Sequence, residues 1–139
     1  MKPLLIDTGC IVALLDRSER NLLHCVEALE STRSTLVTCE AVIAESCYLL
    51  RNLPGAGQAV LENVEKGILR IPLSLAGQAR SVRRLIHKYH DVPMDLADAC
   101  LERLAEMLDT PKIMTLDSDF DIYRWGRNRR FEILPSHQS

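Results

Sequence analysis

Four carboxylates in this chain stand where an ordinary core would not put them. Asp7 stops the apolar run Leu4-Leu5-Ile6 in KPLLIDTGC, Glu45 interrupts AVIAESCYLL, Asp98 interrupts DLADACL, and Asp117 follows the apolar stretch ending in MTLDSDF. Glu45 and Asp98 in particular are expected among apolar neighbours, where an ionised side chain with no partner is expensive to desolvate. Carboxylates brought together repel one another, so either some carry protons or a divalent cation binds among them. Hard oxygen donors favour Mg²⁺ or Mn²⁺.

The neighbouring polar residues have simpler explanations that must be weighed beside this one. Asp7, with Thr8 after it, is placed to cap a helix, because a carboxylate or hydroxyl there accepts free backbone N–H groups. Asp95 lies in the first turn of a helix and suits the same duty, or a supporting position beside Asp98. Asp95, Asp98 and Glu102 share one helical face by their spacing, and Glu102 there is equally consistent with a solvated position. Asp117, Asp119 and Asp121 form a turn-like run in which Asp117 is nearest the preceding strand.

What positions the acids is an alternation of short strands and helices. The continuous apolarity of Leu4-Leu5-Ile6 predicts a central strand covered on both faces, with Asp7 at its carboxyl end, where ligands bind in open α/β sheets. Residues 11–15 read as a short helix. A second runs from Ser18, its expected cap, through Leu22, Leu23, Val26 and Leu29. Further strands are expected at 35–38, 68–71, 112–115 and 131–134, and helices at 39–51, 59–66, 74–90 and 94–108, the last opened by Pro93. Val42, Ile43, Leu49 and Leu50 are available for the core, Val82, Leu85, Ile86 and Tyr89 share one side of their helix, and residues 120–125 read as a short turn or helix. The alternation predicts an α/β fold, a three-layer α/β/α sandwich around a parallel sheet of four to five strands. One domain over residues 1–135, with a loose tail at 136–139, accounts for the whole chain.

Composition narrows the class. A chain of 139 residues with 47% hydrophobic content suits one compact domain, and 17 Lys plus Arg against 19 Asp plus Glu leave a net charge of -2 that argues for no global polyanion partner. Five cysteines, odd in number and without a CxxC pair, read as reduced, buried thiols of a cytoplasmic protein. No stretch has the apolar length of a membrane helix.

Taken in order, IDTGCIVALL, the lone Glu45 in AVIAESCYLL, DLADACL and MTLDSDF resemble the PIN-domain ribonucleases, especially the VapC-type toxins of toxin–antitoxin pairs, over nearly the whole chain. The resemblance implies metal-dependent RNA cleavage with Asp7, Glu45, Asp98 and Asp117 as catalytic residues and ligands of Mg²⁺ or Mn²⁺, and matches Asp119, as a second-rank metal ligand, and Thr115 to supporting positions. It implies a cognate antitoxin and a homodimer as well. The metal would polarise a phosphodiester and lower the pKa of water.

RNA must then be held locally. Arg80, Arg83, Arg84, His87 and Lys88 follow helical spacing along one face, and Arg124, Arg127, Arg129 and Arg130 are interleaved with Trp125 and Phe131; both groups are candidates for phosphate contact and stacking, or for an acidic protein partner. His87 and His90 lack a third ligand for a zinc motif. An aspartyl phosphotransferase would need a second Asp where Gly9 stands, and a receiver-like switch would need a Lys near Thr115-Leu116-Asp117. The alternative to the nuclease is a PIN-like module that binds RNA or protein without cutting.

Overall fold

The computed structural model describes residues 2–92 and 94–135. Among them the chain runs β1 (Leu4–Ile6), α1 (Thr8–Leu15), α2 (Leu22–Thr32), β2 (Leu36–Val37), α3 (Glu40–Leu49), α4 (Ala56–Glu65), β3 (Leu69–Arg70), α5 (Leu75–Lys88), α6 (Leu96–Leu108), β4 (Lys112–Met114), a 3₁₀ turn (Ser118–Asp121), β5 (Arg124–Trp125), β6 (Arg129–Arg130) and β7 (Glu132–Leu134). Five strands form one parallel sheet in the order β3-β2-β1-β4-β7, flanked by helices as a three-layer α/β/α sandwich. The opening of α6 by Pro93 and the tail at 136–139 lie outside the described residues.

Strand chemistry matches strand position. All three residues of central β1 are buried, as are Ile113 and Met114 of β4 beside it, whereas the two edge strands carry the exposed Arg70 and Glu132. Apolar runs belong where helices cover both faces, and a charged side chain on an edge discourages further strand pairing. The pairing sets Leu5 opposite Ile113 and Ile6 opposite Met114, so β1 and β4 end side by side. The Asp7 N–H closes that end on the Met114 carbonyl at 2.9 Å, and Thr38 Oγ1, fully buried past the end of β2, donates to the Ile6 carbonyl at 2.8 Å.

Several expectations are corrected. Ser18 caps nothing: its N–H and hydroxyl both donate to Asp16 Oδ1, at 3.0 and 2.6 Å, in a turn that delays α2 to Leu22. Leu49 is exposed rather than core, and Ile86 is exposed too. The helix expected from residue 59 begins at Ala56, after Gly55 takes the left-handed conformation (φ 78°) that only glycine adopts without cost. Residues 120–125 are not one turn or helix: a 3₁₀ turn leads into an antiparallel hairpin of β5 and β6, which pairs Arg124 with Arg130 and Trp125 with Arg129. An Arg–Arg and a Trp–Arg pair across a two-residue register give no apolar run, so the pattern that marks longer strands is missing.

Candidate metal centre

The end of β1 carries Asp7 into α1, and the residue performs both expected duties. Its Oδ1 accepts the Thr8 N–H at 2.7 Å, satisfying the start of α1, while its Oδ2 accepts the Thr115 hydroxyl at 2.9 Å. Thr115 Oγ1 in turn accepts the Asp117 N–H at 3.0 Å. One buried hydroxyl at the end of β4 therefore fixes the side chain of one acid and the backbone of another. Asp117 Oδ1 accepts the N–H of Asp119 at 2.9 Å, starting the 3₁₀ turn.

The third acid arrives on α6. Asp95 caps that helix by accepting the Asp98 N–H at 2.8 Å, and Asp98, buried one turn in, accepts the Tyr123 hydroxyl on Oδ2 at 3.0 Å. Carboxylate oxygens of Asp7, Asp98 and Asp117 lie within 4.8 Å of one another. They line a cleft of about 280 Å³ together with Thr8, Gly9, Glu45, Leu49, Asp95 and Leu116.

Glu45 faces this cleft but is not among the three converging acids, and it is exposed rather than embedded in apolar surroundings. Its helix turns Val42, Ile43 and Ser46 inward, while Ala44, Glu45 and Leu49 stay exposed. Asp119 lies outside both the three-acid group and the cleft lining. Glu102 departs from the solvated alternative: it is fully buried one turn beyond Asp98, beside the Tyr89 hydroxyl and within reach of the Lys88 charge. Sequence reasoning did not single out Tyr123, because its link to Asp98 spans two elements and leaves no local spacing to read.

The electrostatics follow from crowding in a dry place. Burial pushes the Asp7 carboxyl up to about 6, opposed by its bonds from Thr8 and Thr115 and reinforced by the charges of Asp117 and Glu45. Burial likewise pushes Asp98 up to about 7, with Asp95 and Asp7 adding to the rise and the Tyr123 bond opposing it. These acids resist ionising together, and a cation among them removes that resistance. The donors are all carboxylate oxygen, with no nitrogen or sulfur, and that set fits a hard divalent cation rather than zinc or copper.

These features coincide with a family. Residues 4–126 match the PIN domain, and the chain belongs to that family. It is 30% identical over 135 residues to Ribonuclease VapC26 of Mycobacterium tuberculosis, an alignment covering 95% of this chain and 100% of that one. The crystal structure of Mycobacterium tuberculosis VapC20, described as a sarcin–ricin loop cleaving toxin, superimposes with a TM-score of 0.77 over 86% of this chain and 93% of that chain; at 16% identity the likeness is one of fold.

Proposed function

We propose that this chain is an endoribonuclease of the VapC kind, the toxin of a toxin–antitoxin pair, which hydrolyses RNA phosphodiester bonds with Mg²⁺ or Mn²⁺ held by Asp7, Asp98 and Asp117. The observation that carries this reading is the approach of those three carboxylates within 4.8 Å at the adjoining ends of β1, β4 and α6. A relative named a ribonuclease, aligned along its full length, supports it. Glu45 lines the same cleft, where a fourth carboxylate would add negative charge toward a bound cation and could orient water.

A bound divalent cation supplies positive charge against the phosphodiester and makes water more acidic. The protein's part is to hold the acids still. Thr115 fixes the Asp7 side chain and the start of the Asp117 turn, and Tyr123 fixes Asp98. Thr8 lines the cleft, and its hydroxyl is buried with no partner among the described residues. An antitoxin covering the acidic cleft and a homodimeric assembly complete the proposal.

The test is incubation of the purified chain with single-stranded and structured RNA across a Mn²⁺ titration, beside Asp98→Asn. Cleavage that requires Mn²⁺ and is absent in the variant is expected. RNA binding without cleavage at any metal concentration would instead make the chain a non-cleaving module. No helix among the described residues is long and apolar enough to cross a membrane.

A further inference from the structure

We propose that the exposed face of α5 and the β5–β6 hairpin form one phosphate-binding track, which holds the RNA backbone flanking the scissile bond through Arg80, Arg83, Arg84, Lys88, Arg127 and Arg130. This rests on the ribonuclease reading and names how that site takes a polyanion. The cleft alone is a poor receiver of RNA: Asp7, Glu45, Asp95, Asp98 and Asp117 all line it, and a phosphodiester approaching it meets charge of its own sign. Positive charge beside the cleft overcomes that repulsion and steers the strand inward.

The fold joins the two basic elements to each other and to the acids. Tyr89, directly after α5, accepts the Arg124 N–H at 2.8 Å and donates its hydroxyl to the Arg124 carbonyl at 3.2 Å, which ties the helix end to the first residue of the hairpin. The preceding residue, Tyr123, packs edge-on to Tyr89 with centroids 5.1 Å apart and donates to Asp98. The hairpin is thus clamped between the basic helix and an acid of the cluster.

The cations divide into two groups. Arg124 is spent on structure, its guanidinium donating to the carbonyls of Asp121, Ile122 and Tyr123 at 2.8–3.0 Å. Arg129 lies over Trp125 and pairs with Asp109 at 3.0 Å. The other six are exposed, and none forms an ion pair among the described residues. Exposed cations that no ion pair engages are available to phosphate.

The experiment uses the full chain carrying Asp98→Asn, so that RNA is bound without being cut, and follows the anisotropy of a fluorescein-labelled single-stranded RNA as salt is varied. Charge reversal as Arg83→Glu with Arg84→Glu, or as Arg127→Glu with Arg130→Glu, should lower the slope of log K against log salt by about 1.4 for each pair, at about 0.7 for each single-strand phosphate contact. Unchanged slopes in both pairs, with folded circular dichroism spectra, would overturn the track. Polyglutamate should displace the RNA only in more than about tenfold excess; displacement at equal charge would give the surface to an acidic protein instead. Because binding is read in a silenced chain, these results are independent of whether the unaltered protein cleaves RNA.

Discussion

Tyr123 holds Asp98 from behind: the phenol donates to Asp98 Oδ2 at 3.0 Å while the ring is fully buried against Tyr89 and Phe120. A carboxylate fixed on one oxygen presents the other in a set direction. Residues behind a metal ligand matter nearly as much as the ligand itself, and their loss typically costs 10–100-fold in metal affinity. Tyr123→Phe removes the hydroxyl and keeps the ring, so the core stays packed while Mn²⁺ affinity falls by about that factor in calorimetric titration. Unaltered affinity would reduce Tyr123 to a packing residue.

Replacing the acids separates chemistry from folding. Asp7→Asn and Asp98→Asn should abolish Mn²⁺-dependent cleavage while the metal-free variants melt no lower than the parent, because each removes a buried group that repels its neighbours. A cation present at a hundred times its dissociation constant stabilises the parent by about 2.7 kcal/mol. Thermal melts with and without Mn²⁺ should show that gain in the parent and its loss in both variants.

The same acids set a pH signature. Asp7 and Asp98 have folded values of about 6 and about 7, above the ordinary 3.8, so the folded chain keeps protons that the unfolded chain has released. Their contribution to metal-free stability is complete below pH 4 and is lost as pH rises through 6 to 7. Saturating Mn²⁺ binds only the ionised acids and reverses the trend, so that stability declines as pH falls below 6. Denaturant midpoints from pH 4 to 8, with and without metal, read both slopes.

Glu102 adds a second, metal-independent slope. Burial pushes its carboxyl up to about 8, with the Lys88 charge pulling the other way. A folded value above the ordinary 4.5 means that stability falls with rising pH across 4.5 to 8, by roughly 1.4 kcal/mol per pH unit for the one proton. Glu102→Gln is neutral throughout and should flatten that part of the dependence between pH 6 and 8, leaving the Mn²⁺ response intact. A variant with the parent's full slope would show that Glu102 ionises as freely as an exposed acid.

The central strands were legible because their apolar letters are continuous, and so were Asp7, Asp98 and Asp117, each beside an unambiguous strand or helix. Glu45 was found for a reason the structure does not uphold. Val42 and Ile43 of its helix are buried in the core while Glu45, with the exposed Leu49, lines the cleft, because residues close in a helix look in different directions. Glu102 and Tyr123 were not legible in the role they have. Their surroundings are assembled from elements distant in the chain, α5 and α6 for one, α6 and the hairpin for the other, and no spacing within a segment records such meetings. The hairpin was missed because its strands are two residues each and read as charge rather than as strand.

The bond from Thr115 to Asp7 joins residues 108 positions apart. A chain still being translated therefore holds Asp7 long before it holds Asp117, and every nascent intermediate shorter than 117 residues lacks one wall of the pocket. The pocket therefore cannot close on a nascent chain until synthesis has passed Asp117, late in a chain of 139 residues.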